Sequence, residues 1–233
     1  MLRALLGWLR ANDPQVHAWA VLQGLCGLRL FEAAYLREQD FDPARATIAI
    51  TESGAHRPKN RPSWRTIPVC PEAARALAGW IAGLKVRHPD GYLFLPTRAR
   101  SGRTKAKLRE ARVGALTMDR VCHLWADALE RARANGLEVP EAFTPRRLRA
   151  TFVTALRRAG ADLELLQATI GHQPGSVLAA HYDKIDNERL GVITVLAQEL
   201  YEGSGAFGEK VTKGKANGHA ARTRRQPAAA AQA

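Results

Sequence analysis

Apolar residues recur at helical spacing through most of residues 1–202, and a few short runs there read differently. "ATIAI" (Ala46–Ile50) and "WRTIPV" (Trp64–Val69) read as strands. The polar stretch between them, "TESGAHRPKNRPS", holds a glycine and two prolines and is long for a hairpin loop. "YLFL" (Tyr92–Leu95) is a further short strand candidate. The expected fold class is therefore mainly α with a small antiparallel β-sheet (α+β), the sheet lying near the N-terminal third.

The helical segments are marked by period and punctuation. Leu2, Leu5, Leu6 and Leu9 open an amphipathic helix interrupted by Arg3 and Arg10, without the small-residue cleavage site of a signal peptide. A second pattern, with Val16, Ala20, Val21 and Leu25, runs from Pro14 to about Gly27, and "GLRLFEAAYL" continues helical to about Leu36. Pro71 starts another helix, since proline suits the first helical turn. Val121, Leu124, Trp125, Ala128 and Leu129 share one face of a helix from Thr117 to Ala134, closed by Asn135-Gly136. One more runs from about Pro145 to about Gly160. A short one begins at the acidic cap of Asp162 and stops at Gly171. "SVLAAHYDKI" reads as short and helical, and "DNERLGVITVLAQELY" closes the folded part. The domain boundary falls at 202; the tail from 203 to 233, rich in Gly, Ala, Lys, Arg and Gln, is expected to be disordered.

Charge narrows the partners. The chain carries a formal net charge of +13, which favours a polyanion: nucleic acid first, an anionic membrane surface second. No apolar run is long enough to span a bilayer. Seven basic residues against Glu110 crowd residues 98–112. Cys26, Cys70 and Cys122 are odd in number and far apart, which speaks against a disulfide framework or a structural zinc site and suits a reducing, cytoplasmic compartment.

Four stretches carry candidate chemistry, each with a plainer reading beside it. Arg29 and Glu32 in "GLRLFEAAYL" read alone as an ion pair on a helix surface. Lys59, between the two strands, is either a solvated loop residue or a proton donor to a leaving oxygen. In "FTPRRLRATFVTAL", Arg146 and Arg149 lie three apart and share a helix face, fit to grip phosphate with or without chemistry. In "IGHQPGSVLAAHYDKI", His172 follows a helix-ending glycine and Tyr182 comes ten residues later; the first could merely bond the last carbonyls and the second could be core.

In this order the four stretches resemble the catalytic domain of the tyrosine recombinase (phage integrase) family, with its G-L-R-x-x-E box, hairpin lysine, H-x-x-R box, L-G-H box and terminal tyrosine. The corresponding residues are Arg29, Lys59, Arg146 in the histidine slot with Arg149, His172 and Tyr182. Thr144-Pro145, Leu148 and "ADLELLQATIGH" also fit, and the likeness spans roughly Gly24 to Ile185. It implies an integrase-like catalytic domain that cleaves and rejoins double-stranded DNA through a 3′-phosphotyrosine at Tyr182. Arg29 and Arg149 would stabilise the transition state, His172 would bond the phosphate, Lys59 would act as general acid and Arg146 would assist. No cofactor or metal is implied. Self-association on DNA and accessory DNA-binding factors are expected, at the nucleoid and not at a membrane.

Two departures stand beside this resemblance. Arginine in the histidine slot donates hydrogen bonds but cannot serve as a general base. Only 28 residues precede Arg29, too few for the separate N-terminal helical domain usual in the family. The alternatives are a truncated or impaired relative that only binds DNA, and a basic RNA-binding or ribosome-associated protein.

Overall fold

The computed structural model describes residues 1–51, 64–95, 116–172 and 187–203. Lys59, the basic segment 98–112, Tyr182 and the tail beyond Gly203 lie outside the described residues.

The first two helices form by alternating apolar faces and a shared cap. Helix α1 (Leu2–Asn12) buries Leu2, Leu5, Leu6 and Leu9 and turns its arginines outward. Asp13 then caps α2 (Pro14–Gly24): its carboxylate accepts from the Val16 amide, and Pro14 fills the first turn, where no amide hydrogen is required. Every residue of α2 from Val16 to Gly24 is buried, as befits a central helix packed on all sides. It touches α1, α3 (Leu30–Ala34), α4 (Pro71–Ala82), α5 (Met118–Ala134) and α6 (Pro145–Arg158).

The sheet has three antiparallel strands in sequence order, β1 (Phe41–Asp42), β2 (Thr47–Ile50) and β3 (Arg65–Pro68). Ile48 pairs with Phe41 on one side and Ile67 on the other, all three buried. The sequence pattern supplies β2 and β3; β1, two residues long, is too short to show a period and was missing from it. Tyr92–Leu95 is not a strand: Tyr92 makes only an isolated bridge to Arg37. The helix expected to continue to Leu36 is also cut short, because Gly27 at φ +66 turns the chain and α3 starts only at Leu30.

Helices α6, α7 (Leu163–Ile170) and α8 (Asn187–Glu202) close the other side, with α8 lying against α4, α6, α7 and β3. Leu148, Phe152 and Leu156 recur every four residues and are fully buried, so one face of α6 is core. At the preceding turn the Trp125 indole donates to the Phe143 carbonyl at 2.6 Å. Among the described residues no helix is long and apolar enough to cross a membrane.

Candidate active site

Arg29 is the N-cap of α3, with extended backbone at ψ 157, and Glu32 is its third helical residue. That spacing is a capping relationship: the Glu32 carboxylate reaches back to accept from the Arg29 amide at 2.8 Å, and from its guanidinium at 2.7 Å. The surface ion pair expected from sequence is thus corrected in one half. The Arg29 side chain is 37% exposed, but that of Glu32 is 1% exposed.

Three guanidinium groups converge on this one buried carboxylate. Arg65, from β3, donates to both Glu32 oxygens at 3.1 and 3.0 Å. Arg149, from α6, lies 3.9 Å away. Burial by itself would raise the Glu32 carboxyl; the bonds and charge of Arg65, with the bonds from Arg29, overcome it and hold the group at about 2. Burial and the neighbouring Arg29 in turn lower Arg149 to about 10, still a cation at neutral pH. Three cations against one anion leave a formal excess of two positive charges at the surface end of the cluster.

Backbone carbonyls at the end of α7 fix the same guanidiniums. Arg29 donates to the Gly171 carbonyl at 2.6 Å, Arg149 to that of Ile170 at 3.0 Å, and Arg65 to that of Thr169 at 2.7 Å. These carbonyls lack intrahelical partners and carry the negative end of the helix dipole, so cations suit them. Arg149 also donates to the Gly27 carbonyl at 2.6 Å.

His172 is placed by the helix stop itself. Gly171 adopts the left-handed conformation at φ +67, its amide donates to Ala168, and the His172 amide donates to Gln167. This is the two-bond closure of a glycine-capped helix. His172 is exposed, and its imidazole is held below the ordinary value by partial burial and by the charges of Arg149, Arg29 and Arg65. The same charges disfavour its protonated form.

The structure brings Arg29, Arg149 and His172 to one place. Arg146 is exposed on α6, one turn before Arg149. Lys59 and Tyr182, the expected acid and nucleophile, lie outside the described residues. Arg65 was missed from sequence although a signal existed. Strand alternation puts it on the face of fully buried Ile67, and an arginine on a core-facing position implies a buried partner. The carboxylates Glu38, Asp40 and Asp42 fall in a 3-10 turn and β1, and among the described residues no cluster of His, Cys, Asp and Glu could hold a metal ion.

Residues 11–189 match the model of the phage integrase family, and the chain belongs to that family. It is similar to the tyrosine recombinase XerC of Nitrobacter winogradskyi, 29% identical over 187 residues that make up 78% of this chain and 49% of that one. The XerC of Anoxybacillus flavithermus is 33% identical over 146 residues, 63% of this chain and 42% of its own. The chain spans about half the length of the curated relatives it matches. Among solved structures, it superposes on the Tn1549 transposon integrase in complex with circular intermediate DNA with a TM-score of 0.58 at 20% identity, covering 91% of this chain and 63% of that one. For the XerA recombinase the TM-score is 0.55 at 19% identity, over 86% and 60%. At such identity these structures establish the fold, a mainly helical domain with a small antiparallel sheet.

Proposed function

We propose that this chain performs site-specific recombination, cutting and rejoining double-stranded DNA through a 3′-phosphotyrosine at Tyr182. The observation that carries this reading is the pair Arg29 and Arg149, tied to adjacent carbonyls of one helix end around one buried carboxylate. A metal-free phosphodiester cleavage needs charge stabilisation where the phosphorane develops its negative oxygens, and fixed guanidiniums supply it. Arg149 has five N–H donors in a planar fork, and two reach carbonyl oxygens.

In this mechanism the nearby positive charge favours loss of the Tyr182 phenolic proton to water, against an ordinary pKa of about 10, and the phenolate oxygen attacks the scissile phosphorus. The P–O bond to the 5′ oxygen breaks, and Lys59 gives that oxygen a proton. The phosphotyrosyl ester keeps the energy of the bond, so attack by a 5′ hydroxyl reverses the step and can join a different strand. His172, beside the arginines, donates a hydrogen bond to a non-bridging oxygen. Arg146 adds a donor from the same helix face as Arg149. The partner is duplex DNA at the nucleoid, with further copies of the chain and accessory DNA-binding factors completing the assembly.

Arginine in place of histidine at 146 favours a second reading, an impaired relative that binds DNA without cutting it. Incubation with a nicked suicide duplex, built on a site selected from a random pool, separates the two. The first reading predicts a covalent protein–DNA complex from the parent and none from Tyr182→Phe. No complex from either, with specific binding intact, favours the second.

A further inference from the structure

We infer that Arg65 is a positioning residue that keeps the charge of Arg29 and Arg149 available to the scissile phosphate. This rests on the recombinase reading of the site. Arg65 is not offered as a catalytic residue: its side chain is 8% exposed, against 37% for Arg29 and 15% for Arg149, so it sits behind them.

Its contacts show what it acts through. Among the described residues Glu32 is the one carboxylate in reach of all three guanidiniums, and it is nearly sealed from solvent. Its hydrogen bond to the Arg29 amide fixes the start of α3, so the fold needs an acceptor at this place. An ionised carboxylate there also draws the two outer arginines inward and cancels part of the field they present to a substrate. Arg65 answers both problems. It meets the carboxylate with two nitrogens, one on each oxygen, and so neutralises it from the core side.

The third nitrogen of Arg65 reaches a different element. Nε donates to the Thr169 carbonyl, two residues before the Gly171 carbonyl that holds Arg29 and three before His172. Through one planar group, β3 is thereby pinned both to the start of α3 and to the end of α7. The fit is tight: a Cβ on Gly171 would lie 2.7 Å from Arg65 Nη1 and 3.2 Å from Arg29 Nη1. Lysine cannot reproduce this, because a single ammonium cannot span two carboxylate oxygens and a carbonyl in one plane. Removing Arg65 leaves Arg29 and Arg149 to satisfy Glu32 alone, which halves the formal charge excess and pulls both inward.

The test uses the full chain with Arg65→Gln and Arg65→Lys on the suicide duplex, with a natural phosphate or a methylphosphonate at the scissile position. The methylphosphonate lacks the negative charge that the outer arginines stabilise. Expected are duplex affinities within about threefold of the parent, covalent-complex formation slowed about a hundredfold for Gln and partly restored for Lys, and a gap at least tenfold narrower on methylphosphonate. Equal cleavage by parent and Arg65→Gln overturns the inference. So does a parallel loss of binding and cleavage with no narrowing on methylphosphonate, which marks a purely structural role. A second arm needs no reaction with DNA: thermal stabilisation by orthovanadate, a mimic of the five-coordinate phosphorus, is expected in the parent and lost in Arg65→Gln. A parent that shows that shift but forms no covalent complex refutes the recombinase reading, and loss of the shift in Arg65→Gln then still supports the positioning of Arg29 and Arg149 toward a bound oxyanion; vanadate stabilisation undiminished in Arg65→Gln refutes the inference.

Discussion

Arg149 donates to the carbonyl oxygen of Gly27 at 2.6 Å, a bond joining residues 122 positions apart. It ties the third box of the sequence to the loop carrying the first, directly before Arg29. The two guanidiniums are therefore placed by one connected set of backbone contacts: Gly27 and Ile170 for Arg149, Gly171 for Arg29. Loss of Arg149 should affect chemistry far more than grip, since most DNA affinity comes from dispersed phosphate contacts. Arg149→Lys should slow covalent-complex formation by at least about a hundredfold, or 2.7 kcal/mol of barrier, with duplex affinity changed only a few-fold. Gel-shift titration and single-turnover cleavage on the same duplex check this.

Gly27 and Gly171 both hold positive φ beside the site, yet their alanine variants should fail differently. A Cβ at Gly27 would lie 2.6 Å from the Phe152 ring, deep in the core, where nothing can yield. Gly27→Ala should cost about 3 kcal/mol or more in urea unfolding, combining overpacking with backbone strain. At Gly171 the clash is with the ends of Arg65 and Arg29, which can swing away. Gly171→Ala should cost only about 1–2 kcal/mol of stability while cleavage falls by orders of magnitude. Equal stability losses in the two variants would contradict this contrast.

Glu32→Gln keeps the shape of the side chain and removes the charge that three arginines surround. The remaining cations would repel one another in a partly buried setting, so stability should fall by about 3–5 kcal/mol, as for a broken buried ion pair. Chemical unfolding at pH 7 measures it. A variant as stable as the parent would show that the carboxylate contributes little to the fold.

Stability should respond to acid in two successive windows that overlap slightly near pH 4. His17, buried in α2, is lowered to about 4, first by burial and then by Arg10, against a raising influence from Glu72. The unfolded chain takes up this proton near its ordinary value of 6.5, whereas the folded chain resists until about 4. The unfolded state thus binds more protons between these values, and folding loses up to about 3 kcal/mol as pH falls through them. Glu32, held at about 2 against 4.5, adds a loss only as pH falls from 4.5 towards 2. His17→Gln should flatten the upper window and leave the lower one intact. Unfolding free energies measured from pH 7 to 3 distinguish the two.

Much of this site was legible before the fold was known, for a physical reason. The residues proposed to face a substrate are few, polar and set beside helix punctuation: Arg29 at a helix start, Arg149 one turn into α6, His172 just past the glycine that stops α7. Such positions leave marks in a linear sequence. Glu32 and Arg65 were harder because their meaning depends on burial. An Arg and a Glu three apart look alike on a surface and in a core, and only the register of β3 puts Arg65 beside them. The two-residue β1 and the early end of α2 at Gly24 escaped for a similar reason, being set by tertiary pairing and by the turn at Gly27 and not by local period.

The proposed chemistry requires one bond between this chain and DNA, at one atom. Peptide mapping by mass spectrometry of the covalent complex trapped on the suicide duplex tests it most directly. The account predicts a nucleotide joined through its 3′ phosphate to the Tyr182 hydroxyl, formed by the parent and absent from Tyr182→Phe. An adduct on any other residue, or a 5′-phosphoryl linkage at Tyr182, would contradict it.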